Sequence, residues 1–230
     1  MTTPIIRMKS WREFHDFAIG YAANPRERRE QFLFRGHSDS GWPLITTLDR
    51  HRSFSDDPSR TEHYNLLLAE FRREAFGVGP LSLNLPKNDA FELLARHHGV
   101  PSPFLDWTGS PYIASFFAFD GATDPKRSVS IFVFDRGRFL PRGSEVDLID
   151  DPESIRLNRR ALQQQGSFIR INTIREAVED LLGSALSKIV MPARIRRLAL
   201  TDLDEMTITA ASLFADLDGA ARTARTRASL

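Results

Sequence analysis

The run SVSIFVFD at Ser128–Asp135 constrains the fold of this chain most. It is short, nearly all apolar and rich in β-branched and aromatic side chains, so it reads as a central strand of a sheet. A shorter run, FLF at Phe32–Phe34, stops at Arg35 and Gly36 and gives way to a polar loop closed by Trp42. Apolar residues at consecutive positions mean a strand buried on both faces. An arginine at the end of such a strand needs a partner, because it is almost never fully buried alone. Two readings of Arg35 are open. It pairs with a carboxylate such as Asp106, or it clamps an anion, since its rigid fork of donors suits phosphate. Gly36 beside it lets another backbone or a ligand approach closely.

Around these runs the periodicity alternates between helix and strand. Ser10 caps a short helix to Tyr21 that carries Trp11, Phe14, Phe17 and Ala18 on one face. Glu62–Phe76 places Tyr64, Leu67, Leu68, Phe71 and Ala75 at helical spacing. A further helix runs from Lys87 to a stop at Gly99. PSPFLDW is a strand, and SPYIASFFAF a helix with Ser110 as cap and Pro111 in the first helical position. GSFIRI, SKIVMP and RIRRLAL read as strands, and Thr173-x-x-Glu176 as a capping box for a helix to Leu182. The basic, small-residue end, 222–230, is expected to be a disordered tail. Strands come in short pieces without regular βαβ alternation. The expected class is therefore α+β, with residues 1–230 forming one domain around one sheet.

Composition excludes several functions. Net charge is +1, from 31 basic and 30 acidic residues, so the whole molecule has no electrostatic footprint for nucleic acid or anionic membrane. With no cysteine, the chain holds no disulfide, thiolate metal site or cysteine nucleophile. It has no apolar run of membrane-spanning length and no secretory signal, and a cytoplasmic location is expected.

Candidate chemistry gathers at four places. Asp106, Trp107, Thr108 and Ser110 lie at a strand-to-helix junction. Free N–H groups there favour an anion, although Thr108 and Ser110 also suit plain capping and Trp107 a core. His97 and His98 point about 100° apart on a helix, which disfavours joint metal ligation and suits charged imidazoles at a helix C-terminus. Gln163, Gln164 and Gln165 are neutral amides before a strand, either a polar turn or a recognition element. Asp216 and Asp218 form either a carboxylate pair or an Asp/Gly turn, and the turn is the preferred reading. No metal site is expected. Walker, dinucleotide-glycine, HExxH and GxSxG motifs are absent.

Four blocks occur in order: FLFRGHSDSGWPLITTLDR, LLARHHGVPSPFLDWTGSPYIASFFAF, QQQGSF and LFADLDGAA. Together they strongly resemble the FRG domain, named for the Phe-Arg-Gly motif that is Phe34-Arg35-Gly36 here, over residues of about 28–221. One departure is Ala215, where the family pattern has proline. The resemblance implies a fold similar to that of ADP-ribosyltransferases: a split mixed β-sheet with flanking helices and NAD in a cleft. It further implies an NAD-dependent mono-ADP-ribosyltransferase or NAD glycohydrolase, acting as a toxin, phage-defence or modification effector on a protein or nucleic-acid acceptor. In that reading Arg35 and Gly36 hold the NAD, Thr108 and Ser110 bind the nicotinamide ribose, and Trp42 and Phe116 stack the nicotinamide. Asp106 and Trp107 line the same site. Gln164 or Gln165 stands where the family of folds has a catalytic glutamate. That substitution removes a charged stabiliser of the transition state. It leaves three alternatives: a substitute carboxylate at Asp106, Asp216 or Asp218; a non-catalytic module that binds a nucleotide or nucleic acid; or a metal-dependent hydrolase using those aspartates.

Overall fold

The computed structural model describes residues 3–75, 88–140, 143–149 and 159–230. Phe76 and Lys87, expected as helix ends, lie outside the described residues. Seven strands form one curled mixed sheet: β1 (Ile5–Arg7), β2 (Phe32–His37), β3 (Phe104–Thr108), β4 (Ser128–Asp135), β5 (Val146–Ile149), β6 (Gly166–Ile171) and β7 (Leu186–Pro192). Their order is β1-β7-β4-β2-β3-β6-β5. Only β1 and β7 run parallel among these pairs. The SVSIFVFD run is β4, paired on both sides and buried along almost its whole length.

The sheet is not evenly joined. β2 pairs with β4 along its full length, whereas β2 and β3 pair only at Phe34 and Thr108. Beyond that point the two central strands part. β2 also continues through Arg35 and Gly36 to His37, so Arg35 lies within the strand, opposite Phe132, rather than at its end. The expected strand was too short because the pattern read the polar residues as a stop, while the ladder with β4 carries on.

Apolar faces are covered on both sides. On one, Phe34, Ile131 and Val133 pack with Phe14 of helix α1 (Trp11–Ala22) and with Ile113, Ala114 and Phe119 of α6 (Pro111–Asp120). On the other, Leu33, Phe132, Trp107 and Ile169 pack with Leu44 and with Leu181 and Leu182 of α8 (Val178–Leu182). Between α1 and α6 in chain order come α2 (Arg26–Arg29), α3 (Thr47–His51), α4 (Asp57–Ala75) and α5 (Asn88–His97). α7 (Arg159–Gln163) precedes α8. The chain ends in α9 (Arg196–Glu205), α10 (Ala210–Phe214) and α11 (Leu217–Arg227). No helix among the described residues is long and apolar enough to cross a membrane.

Local chemistry explains where expectation and structure agree. Ser10 accepts from the Glu13 N–H and starts α1, and Ser110 accepts from Ile113 at 3.3 Å with Pro111 behind it. Three expectations fail. RIRRLAL is the start of α9, because Ala199, Leu200 and Leu203 share a helical face rather than alternating, and the Trp11 indole donates to Asp202 at 2.7 Å. The Thr173 capping box does not form: α8 begins at Val178, and Thr173 instead donates to Asp57 at 3.1 Å. Residues 222–227 are helical, not a disordered tail. α11 has little apolar surface, but polar groups hold it: Asp216 accepts from Gly219, Thr223 from the Ala211 N–H at 2.8 Å, and Arg227 pairs with Asp204 at 2.8 Å. Ala215 adopts φ 53°, a left-handed conformation that proline cannot reach.

Gly36 fixes how closely α6 lies on the sheet. A Cβ there would stand 2.0 Å from the Ala114 carbonyl oxygen and 2.7 Å from the Ala118 nitrogen. The close approach that the glycine permits is therefore that of α6. Gly36→Ala is expected to destabilise the fold by about 3 kcal/mol or more, since backbone rather than a flexible side chain must move. Gly20→Ala, where the added Cβ meets nothing within 4 Å inside α1, is expected to stabilise it by about 0.5–1 kcal/mol. Urea unfolding of the two variants checks both signs.

Candidate functional site

The gap between β2 and β3 opens into a cleft of about 450 Å³. Arg35 reaches across it. Its Nη1 donates to the Asp106 backbone carbonyl at 2.7 Å, and its Nε to His37 Nε2 at 3.2 Å. Nη2 has no acceptor among the described residues. The Asp106 carboxylate lies 3.9 Å from Nη1, too far for a tight pair. Burial pushes Arg35 down to about 10; Asp106 opposes this, and Arg96 and Arg50 add to it. The guanidinium remains charged at neutral pH, with Nε and Nη1 engaged by protein and Nη2 without an acceptor among the described residues, in a side chain that lines the cleft.

Asp106 belongs instead to Arg96. Arg96 Nε donates to Oδ1 at 2.7 Å, and Nη2 to Oδ2 in a short contact. Arg96 Nη1 goes to Ser102 Oγ at 2.8 Å and Thr47 Oγ1 at 3.1 Å. Burial alone would raise the Asp106 carboxyl, but Arg96 first and then Arg35 outweigh it and hold the group below its ordinary value. Its side chain is still 47% exposed, so an ionised carboxylate faces the cleft.

His37 backs Arg35 from within β2. It is 9% exposed and sits edge-on to Phe132. Because its Nε2 accepts from Arg35, the proton lies on Nδ1, which makes no hydrogen bond of good geometry among the described residues. Burial, then Arg35, lower His37 to about 3, with the Trp42 backbone pulling weakly the other way.

The cleft gathers Arg35, Gly36, Asp106, Trp107, Thr108 and Gln164. Four other expected site residues lie elsewhere. Ser110 is spent capping α6. Phe116 is 3% exposed in the core, and its neighbour Phe117 faces the cleft instead, since adjacent helical residues point about 100° apart. Trp42 is 53% exposed over His37. Gln165, in the left-handed region at φ 48°, lines a separate polar cleft with Tyr21, Arg29 and Ser167. Thr108 and Gln164 are also partly spent. The Thr108 hydroxyl donates to the Gln164 carbonyl at 2.6 Å and accepts from Ser110, and the Gln164 amide donates to the Leu213 carbonyl at 3.2 Å. Asp216 caps α11 and pairs with Arg160, outside the Asp106 pair, and Asp218 sits in the first turn of α11. No group of three metal-ligating side chains occurs among the described residues.

Arg96, Arg160, Phe117, Phe168 and Phe214, which sequence reasoning missed, complete the walls, together with His97, which it had read only as a helix terminus. Arg160 lies over the Phe214 ring at 4.8 Å. Arg96 is paired with Asp106 and Arg160 with Asp216, which leaves Arg35 as the lining arginine without a tight carboxylate partner among the described residues, with aromatic surface beside it. His97 ends α5, the helix C-terminus at which the sequence placed it; burial, then Arg160 and His98, lower it below its ordinary value, and Asp216 opposes them.

Fold and cleft together define an α+β protein with an arginine-lined, aromatic-walled site where its two central strands separate. Residues 30–127 match the family model of the FRG domain, under half of the chain. The match covers β2, β3 and α6 with Arg35, Asp106 and Thr108, and stops short of Gln164 and α11. No curated protein and no solved structure matches the chain.

The His37 environment has a pH consequence. Its folded value lies below its unfolded one, so the neutral form contributes stability above about pH 6.5 that is lost as pH falls toward 3. At pH 5 the loss amounts to about 2 kcal/mol. Urea unfolding at pH 7 and pH 5 is expected to show this difference in the native chain. In His37→Gln, whose amide oxygen can still accept from Arg35, the difference shrinks by about that amount.

Proposed function

We propose that the cleft binds an NAD-class dinucleotide and that the protein cleaves its nicotinamide N-glycosidic bond, as a mono-ADP-ribosyltransferase or NAD glycohydrolase. The observation that carries the reading is Arg35, fixed through Nη1 and Nε by Asp106 O and His37, with Nη2 left without an acceptor among the described residues in a cleft that also presents an ionised carboxylate. The layout of the sheet supports it. The Arg35 strand adjoins the Thr108 strand at a split, that strand leads into α6, and its other neighbour begins just after the glutamines. The resemblance to the ADP-ribosyltransferase fold implies a comparable order of strand, strand, helix and strand, although it sets the arginine at the end of its strand and Arg35 lies within β2.

In this reading Arg35 Nη2 and Arg160 take the diphosphate, as guanidinium donors suit phosphate oxygens. Phe117 and Phe214 offer apolar surface to a base. Gln164 cannot carry negative charge, and Gln165 lies in the other cleft. Asp106 is therefore the carboxylate left to face positive charge developing on the ribose. A second reading, binding without turnover, is favoured by one observation: Arg96 forks both Asp106 oxygens and already compensates much of that charge.

Nicotinamide release from NAD and calorimetric titration with ADP-ribose separate the two. The enzyme reading expects release by the native protein, a fall of about 10²-fold or more in Asp106→Asn, and ADP-ribose binding retained in that variant. For Arg35→Lys, which keeps charge but loses the fork, it expects Kd to weaken by about tenfold, or about 1.4 kcal/mol. Tight ADP-ribose binding with no release supports the second reading. Absence of binding removes both.

A further inference from the structure

We propose that His97 is the general base of the cleft, accepting the proton of the water or acceptor hydroxyl that attacks the ribose carbon; this rests on the bond-cleaving reading of the same site. His97 is the last residue of α5, one position beyond Arg96, and it lines the cleft that Arg35 and Asp106 share. The other polar side chains lining it are committed or cannot accept a proton at neutral pH. Arg35, Arg96 and Arg160 are donors only. Asp106 is forked by Arg96, and the Thr108 hydroxyl is bonded to Gln164 and Ser110. Thr47 is bonded to Ser102 and Arg96, and Gln164 does not titrate. Among the described residues neither ring nitrogen of His97 has a hydrogen-bond partner, so a lone pair is free for a substrate proton.

The surroundings favour a neutral imidazole. His98 on the same helix lies edge-on at 5.0 Å between ring centroids, Arg160 comes from α7, and Asp216 faces it from the cap of α11. Burial first, then Arg160 and His98, lower His97 below its ordinary value, and Asp216 opposes them only in part. An imidazole whose surroundings lower it is favoured in the unprotonated form that can accept a proton. In the step itself the bond from the ribose carbon to the nicotinamide nitrogen breaks, and its electron pair leaves with nicotinamide. The nucleophile oxygen forms the new bond to that carbon, and its proton passes to His97.

The test is the pH profile of kcat/KM for nicotinamide release in the native protein, His97→Ala and His97→Gln, with ADP-ribose affinity measured alongside. The expected native profile rises with pH to a plateau, with a midpoint below 6.5. Both variants are expected to lose about 10²-fold at the plateau and to lose the rising limb, while ADP-ribose affinity stays within about twofold. Native-like turnover in both variants overturns the role of His97 and leaves the bond-cleaving reading standing. Parallel loss of affinity and rate also overturns it, since His97 would then be a binding group. Absence of release by the native protein at every pH overturns both.

Discussion

Where β2 and β3 part beyond Phe34 and Thr108, the Arg35 guanidinium spans the gap. Its 2.7 Å bond to the Asp106 carbonyl stands where a strand ladder would have put a backbone N–H. A charge-assisted bond of this kind contributes about 1.5–3 kcal/mol, and losing it leaves a buried carbonyl short of a donor. The same side chain must therefore be fixed for the sheet to stay split. Fixing it turns one nitrogen outward, toward a space the missing ladder has opened.

Neighbouring features follow from that bridge. His37 is neutral because it accepts from Arg35 in a buried place, and Asp106 is free to be claimed by Arg96 because Arg35 uses its carbonyl instead. Gly36 lets α6 settle against the back of β2, which brings Phe117 to the cleft and buries Phe116. Arg160 and Phe214 arrive from α7 and α10 on the far side, tied through Asp216 to the cap of α11. The terminal helices therefore form a wall of the site.

The sequence made β4, α6 and its Ser110 cap legible, because each depends on short-range pattern: a continuous apolar run, a cap and a proline. It also made Arg35 and Asp106 legible as partners, but not the form of the contact, which is through a backbone carbonyl. Arg96 escaped notice because its partner lies across the turn at Gly99, and nothing in LLARHHG marks which face meets β3. Gln164 and Gln165 are adjacent in sequence yet open into different clefts, a separation set by the left-handed turn at Gln165. α11 was unreadable from hydrophobicity since its anchors are Asp216, Thr223 and Arg227.

In the proposed function Arg35 Nη2 binds the ligand, so the side chain is more than a brace for the sheet. A crystal structure of the protein with ADP-ribose tests it most directly. The account predicts a diphosphate oxygen within about 3 Å of Arg35 Nη2, with the bond to the Asp106 carbonyl intact. A ligand bound away from this cleft, with Arg35 Nη2 still unengaged, would contradict it.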